Sequence, residues 1–226
     1  NIVNSLDKNG SLVYNEDDQI LNKSFTKIKN KISFSYRDIP NTYLDLDSLL
    51  IKGKHNHSNI MAAIVISNFF NIDYNIIKES VESFSPLPHR LEFIGRYNNS
   101  SIYNDSKATN VEAMLVALEA FNEKIVLIIG GLDKGETDFK KPIEHYKNKI
   151  RFVACYGESG RFIKSQIQNL VKADYNFSFM DAVHSAVKNL KEDDSLLLSP
   201  GCASFDQFES YEDRGDRFKD IIVGLS

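Results

Sequence analysis

The stretch Ile125-Val126-Leu127-Ile128-Ile129-Gly130-Gly131-Leu132-Asp133-Lys134-Gly135 decides the fold class of this chain. An unbroken apolar run of strand length, with no polar residue in alternation, suits a parallel strand covered on both faces rather than a strand with one wet side. The paired glycines behind it let the backbone turn sharply or approach a ligand, and Lys134 offers a cation to a carboxylate or phosphate. A plain strand-exit turn explains the same residues, and the spacing is neither a dinucleotide fingerprint nor a phosphate loop.

Outward from this strand, apolar runs and helical patterns alternate. A hairpin-like pair is expected at Leu91–Tyr97 and Ser101–Asn104, then a helix at Asn110–Phe121, the strand Ile125–Ile129, and a helix near Lys141–Lys147. A strand at Phe152–Cys155, helices at Ser159–Val171 and Asp181–Leu190, and a strand at Ser195–Ser199 follow, and a helix from Ser204 onward closes the chain. Such alternation predicts an α/β fold: an open, mainly parallel sheet with helices on both sides, where ligands collect at the C-terminal ends of strands. Upstream the text changes. Residues up to about Lys54 are rich in Asn, Lys and Asp, with brief strand-like alternations such as Lys31–Tyr36. Helical spacing then predicts helices at His57–Phe70 and Asp73–Phe84, the second capped by Asp73. Pro86 and Pro88 break the pattern, which places a domain boundary there, between residues 1–86 and 87–226.

Composition narrows the function. The 226 residues carry a formal net charge of −4 with interspersed signs, so no basic stripe suggests nucleic acid as a partner. No apolar run reaches the ~18–20 residues of a membrane span, and the first ten residues lack the apolar core of a signal peptide. The two cysteines, Cys155 and Cys202, lie far apart beside apolar segments, which fits free thiols in a reducing cytoplasm.

The chemistry sits in polar stretches between the regular elements. Tyr103-Asn-Asp-Ser-Lys-Ala-Thr-Asn110 holds far more polarity than a strand-to-helix connector needs. Thr109 with Glu112 fits a capping box, which leaves Asp105 and Lys107 unexplained. A lysine just before a helix N-terminus is unfavourable unless an anion sits there too. Ser204 with Gln207 fits a second capping box or an anion pocket, while Tyr211–Arg217 reads as a solvated helix face. Arg90, at the junction, either pairs with Glu92 or reaches a phosphate or base. Two histidines in Gly53-Lys-His-Asn-His-Ser-Asn59 invite a metal, but without cysteines or a third histidine no metal site is expected. Asn56 and Asn59 share one helix face and could read a purine edge.

In sequence, Gly-Lys-His-Asn-x-x-Asn, Pro-His-Arg-x-Glu, Asn-Asp-Ser-Lys-Ala-Thr-Asn, Gly-Gly-Leu-Asp-Lys-Gly and Leu-Ser-Pro-Gly-Cys-Ala-Ser-Phe-Asp-Gln-Phe resemble the Mur ligases, from about His55 to the C-terminus. Asn15–Asp18 also looks like a turn of that family's central domain. The resemblance is greatest to members that add D-glutamate to UDP-N-acetylmuramoyl-L-alanine in peptidoglycan precursor synthesis. It implies the tail of a P-loop ATPase-type central domain (1–86) followed by a Rossmann-like, amino-acid-binding C-terminal domain (87–226). The P-loop, catalytic glutamate, magnesium-binding histidine and carbamylated lysine of the family would then lie upstream of Asn1, and this piece would be inactive alone. The implied cofactors are ATP and Mg2+, the implied partners UDP-N-acetylmuramoyl-L-alanine and D-glutamate, and a monomer is expected.

The resemblance places Asn56 and Asn59 near adenine, Asp105 near ribose and Arg90 near the phosphates. It places Lys107 in the catalytic centre, and Thr109, Lys134, Ser204, Phe205 and Tyr211 around the acidic substrate. Gly201 and Tyr211 depart from the family, which commonly has alanine and often phenylalanine there. Two alternatives stay open: another Mur-type or folylpolyglutamate ligase, and a non-catalytic nucleotide-binding or interaction module.

Overall fold

The computed structural model of the chain describes residues 6–7, 9–25, 28–38, 44–45, 49, 53–84, 87–133 and 137–225. Its contacts divide it into two compact units, Asn1–Ser85 and Pro86–Ser226.

In the first unit β1 (Leu12–Asn15), α1 (Gln19–Ser24) and β2 (Lys31–Phe34) precede α2 (Lys54–Phe69) and α3 (Tyr74–Glu82), and β1 pairs in parallel with β2. α1 is absent from the sequence-based expectation because its six residues are too few to show a periodicity. It is set instead by Asp18, whose carboxylate accepts the Ile20 and Leu21 N–H groups. Asp73 caps α3 as expected, accepting from the Asn75 N–H at 2.8 Å. α2 begins at Lys54, a turn earlier than its apolar spacing suggests, behind Gly53. A small core gathers Leu44, Leu49, Ile60, Ile64 and Ile77.

The second unit contains β3 (Glu92–Tyr97), β4 (Ser100–Asn104), α4 (Val111–Glu119), β5 (Ile125–Gly130), α5 (Lys140–Tyr146), β6 (Ile150–Tyr156), α6 (Gly160–Ile167), β7 (Ala173–Asn176), α7 (Phe179–Lys188), β8 (Ser195–Leu198) and α8 (Tyr211–Gly224). The strand order is β3-β4-β8-β5-β6-β7; β3 runs antiparallel to β4 and every other pair is parallel. Alternate residues of β5 feed two cores. Ile125, Leu127 and Ile129 pack with residues of α4, α5 and α6, whereas Val126 and Ile128 pack with residues of α7 and α8. That two-sided burial is why the run is apolar at every position. β7 was not expected, since Ala-Asp-Tyr-Asn carries almost no apolar signal; it forms on the exposed side of β6 through backbone pairing. No helix among the described residues is long and apolar enough to cross a membrane.

The starts of α4 and α8 differ from expectation. The cap of α4 is Asn110, in extended backbone, whose side chain accepts from the Ala113 N–H at 2.8 Å; Thr109 is not the cap. The closing helix begins at Tyr211, capped by Ser210, and not at Ser204. Ser204–Gln207 is a turn, and the Gln207 side chain accepts from the Phe179 N–H and donates to the Phe177 carbonyl, tying the turn to the start of α7. Asn110→Ala is therefore expected to cost about 1 kcal/mol in denaturant unfolding and Thr109→Ala much less at the helix start. The reverse ranking would return the cap to Thr109.

Candidate functional site

β4, β8 and β5 lie side by side, so the loops leaving their C-terminal ends meet along one edge of the sheet. Asp105 leaves β4 with its N–H on the Leu198 carbonyl at 2.8 Å. Its Oδ2 accepts from the Ser199 hydroxyl at 2.7 Å and its Oδ1 from the Leu91 N–H at 3.1 Å. Burial pushes this carboxyl up to about 7, opposed by those two hydrogen bonds and by the charges of Arg90 and Arg214.

Lys107 comes next. Its N–H donates to the His89 carbonyl at 3.0 Å, and its ammonium lies 3.8 Å from the centroid of the Tyr211 ring. Among the described residues no carboxylate stands at ion-pair distance from this ammonium. Glu212, exposed beside Tyr211, is held below the usual carboxylate range first by a hydrogen bond with Tyr211, with Lys107 contributing.

Beneath these groups lies Arg214, which is fully buried. Its Nε donates to the Ser106 hydroxyl at 2.9 Å and its Nη2 to the Ser106 carbonyl at 2.8 Å. Its Nη1 reaches the Cys202 carbonyl at 3.1 Å and the Tyr156 hydroxyl at 3.3 Å. The Ser106 hydroxyl in turn donates to the Tyr211 carbonyl at 2.7 Å. One guanidinium thus ties together the exits of β4, β6 and β8 and the start of α8. Among the described residues it too has no carboxylate at ion-pair distance. Burial keeps the surrounding acids neutral, with Tyr156, Cys155 and Cys202 each pushed up to about 12.

The reading of Tyr211–Arg217 as a solvated face is thereby corrected, for Arg214 and Gly215 are buried. A signal was present: Arg214, Phe218, Ile221 and Ile222 fall on one helical stripe. Ser106, Asn104 and His89 were also passed over. Asn104 Nδ2 lies 3.0 Å from His89 Nδ1 and donates to the Gly215 carbonyl at 3.2 Å. Pairing of Arg90 with Glu92 is not observed. Positive φ at His89 and Leu91 turns the chain there, and Glu92 accepts from the His89 N–H at 2.9 Å and pairs with Lys219 at 3.2 Å, while Arg90 is exposed.

Thr109 is partly buried beside Lys107, its N–H on the Lys107 carbonyl at 2.8 Å. Ser204 is buried and Phe205 exposed in the turn after β8, which an antiparallel bridge between Leu132 and Ala203 joins to the exit of β5. No helix starts at Ser204, so the anion pocket expected from helix-start amides is not formed there. The first turn of α8 already carries Glu212 and Asp213 against its dipole. Gly130 and Gly131 make close approaches to protein backbone, not open space: a Cβ would stand 2.1 Å from the Tyr156 carbonyl oxygen and 2.3 Å from that of Ala203. Lys134 lies outside the described residues. Asn56 and Asn59 lie in the first turns of α2 in the other unit, Asn59 Nδ2 donating to Asn56 Oδ1 at 3.5 Å, as their spacing predicts. A groove of about 690 Å³ between α4 and α5, bordered by Val111, Leu115, Pro142 and Tyr146, contains none of the motif residues.

A family model described as Mur ligase, glutamate ligase domain matches residues 89–202. The UDP-N-acetylmuramoylalanine–D-glutamate ligase of Chloroherpeton thalassium is 34% identical over 247 residues, covering 95% of this chain and 53% of its own length. The protein of the same name from Christiangramia forsetii is 40% identical over 178 residues, covering 78% of this chain and 40% of its own. The chain therefore spans about half the length, or less, of these curated relatives. Among solved structures, MurF ligase from Thermotoga maritima in complex with ADP superposes with a TM-score of 0.63 at 15% identity, over 97% of this chain and 55% of that one. UDP-N-acetylmuramate-alanine ligase MurC from Thermotoga maritima gives 0.58 at 20%, over 79% and 40%. At these identities the likeness is one of fold.

Proposed function

The chain belongs to the Mur ligase family, and from that premise we propose that it is part of an ATP-dependent ligase that adds D-glutamate to UDP-N-acetylmuramoyl-L-alanine. One observation carries the proposal: the Lys107 ammonium stands at the strand exits, above the buried Arg214 guanidinium, with no carboxylate at ion-pair distance among the described residues. An ammonium held there outside any ion pair is what a dicarboxylic amino acid and a phosphorylated intermediate require. The names of the relatives point to the same acid.

In the proposed reaction the carboxylate of UDP-N-acetylmuramoyl-L-alanine takes the terminal phosphoryl group of ATP. The D-glutamate amine attacks the acyl phosphate, and the tetrahedral intermediate collapses to an amide and inorganic phosphate. Lys107 meets the developing oxyanion charge or the incoming acid, with Thr109, Lys134, Ser204, Phe205 and Tyr211 shaping the acid site. Asn56, Asn59, Arg90 and Asp105 are assigned to ATP. Mg2+ would screen the phosphates. Among the described residues no three His, Cys, Asp or Glu side chains are grouped to hold a metal ion.

The test is phosphate release by the full-length enzyme from ATP and UDP-N-acetylmuramoyl-L-alanine, with D-glutamate or another amino acid as acceptor. Turnover is expected with D-glutamate above all others. Lys107→Met is expected to lower kcat/KM for it at least tenfold, since a charge-assisted contact is worth ~1.5–3 kcal/mol. Preference for a different acceptor, or an unimpaired Lys107→Met enzyme, would overturn the assignment.

A further inference from the structure

We propose that Arg214 is a positioning residue which, acting through Ser106, sets the Lys107 ammonium on the ring of Tyr211 and so aims the cation that meets the acidic substrate. The aiming is read from the structure alone; its effect on substrate rests on the functional reading above.

Lys107 and Tyr211 are far apart in sequence and belong to different elements, the exit of β4 and the first turn of α8. No direct backbone hydrogen bond between these two residues is seen. The connection runs through their neighbours. The Ser106 hydroxyl donates to the Tyr211 carbonyl at 2.7 Å and accepts from Arg214 Nε at 2.9 Å, while Arg214 Nη2 holds the Ser106 carbonyl at 2.8 Å. Arg214 lies one turn into the same helix that begins at Tyr211, so these bonds close a ring between strand exit and helix start. The ring is anchored from below by the Cys202 carbonyl and the Tyr156 hydroxyl.

Pure stability is a poor account of this arrangement. A guanidinium taken fully out of water with only neutral acceptors costs more than a well-packed apolar side chain on the same stripe. Its planar, fixed donors are suited to holding several acceptors in one geometry, which a lysine cannot do. Three strand exits and a helix start are therefore locked together where the ammonium must point.

Two variants test this, Arg214→Lys and Ser106→Ala, with a reading in each of two proteins. In the present chain, the Lys107 ε-methylene protons, assigned by NMR, are expected upfield of the other lysines because they adjoin the ammonium that sits over the Tyr211 ring. In either variant they move to the position of exposed lysines, while the amide resonances of Ile125–Ile129 stay in place. In the full-length enzyme the KM for D-glutamate rises about tenfold or more, and the KM for ATP changes less than about twofold. An unmoved Lys107 resonance in a folded variant, or equal changes in both KM values, would overturn the inference. Ser106→Ala decides the matter if Arg214→Lys does not fold. Wild-type enzyme without D-glutamate turnover would sink the functional reading, while the resonance still decides the positioning.

Discussion

Gly130→Ala is expected to unfold the second unit or leave it barely stable. Gly130 ends β5 with φ of +133°, a conformation that L side chains rarely adopt. An added Cβ would stand 2.1 Å from the Tyr156 carbonyl oxygen and 2.9 Å from the Tyr156 nitrogen. Tyr156 is the register partner of Gly130 on β6, and β6 is itself held between β5 and β7, so neither backbone has room to move aside. Backbone strain of ~1–3 kcal/mol and overpacking of a similar size or more act on the same residue. A loss of at least ~4 kcal/mol takes a large share of the ~5–15 kcal/mol typical of a folded domain. Thermal unfolding should show a midpoint lower by roughly 10 °C or more, or no cooperative transition. Gly224→Ala, near the end of α8 with nothing within 4 Å of its Cβ, is the matched control and is expected to leave the midpoint almost unchanged. A Gly130→Ala midpoint close to the control would mean that the two strand ends part easily.

The same residue shows what the sequence could and could not convey. Five apolar residues before paired glycines were enough to specify a strand buried on both faces, because burial acts position by position along the chain. Why the glycines are needed was not legible. They face Tyr156 and Ala203, residues brought near by strand order, and strand order depends on β8 inserting between β4 and β5. β7 was missed for a related reason, since a short polar edge strand is defined by its neighbour's hydrogen bonds and not by its own pattern.

In the candidate site, Lys107 and Asp105 could be picked out because each carries chemistry in excess of local need, whereas Tyr211 came only through the resemblance. Arg214 was missed, since an Asp-Arg-Gly-Asp-Arg run looks like surface until the helical stripe that sets it with Phe218 and Ile221 is read. Capping was legible in kind but not in place. Both Thr109 and Asn110 are competent caps, and the choice falls to the residue with extended backbone immediately before the first helical turn.

The second large effect is on pH dependence. Asp105 titrates at about 7, against an ordinary 3.8, because burial disfavours its charged form. Between those two values the folded state keeps a proton that the unfolded state releases. The stabilisation from this site is therefore fully present below about pH 4 and is lost as the pH rises through about 7. Each tenfold gain in proton affinity on folding is worth about 1.4 kcal/mol, so the swing is on the order of 4 kcal/mol. Asp105→Asn retains the geometry without the titration: the amide oxygen accepts from the Leu91 N–H, and the amide NH2 donates to the Ser199 hydroxyl, whose own proton is free to turn away. The variant is expected to be more stable than the wild type at pH 8, with the difference nearly constant down to about pH 7 and shrinking below it towards pH 5. Other carboxylates titrate alike in both proteins, so in urea unfolding from pH 5 to 8 the difference between them isolates this one site. A difference that does not vary with pH would mean that Asp105 is ionised throughout, with the charges of Arg90 and Arg214 outweighing burial. In that case the strand exits would carry a fixed negative charge close to Lys107, and the proposed recognition of D-glutamate by that ammonium would be weakened.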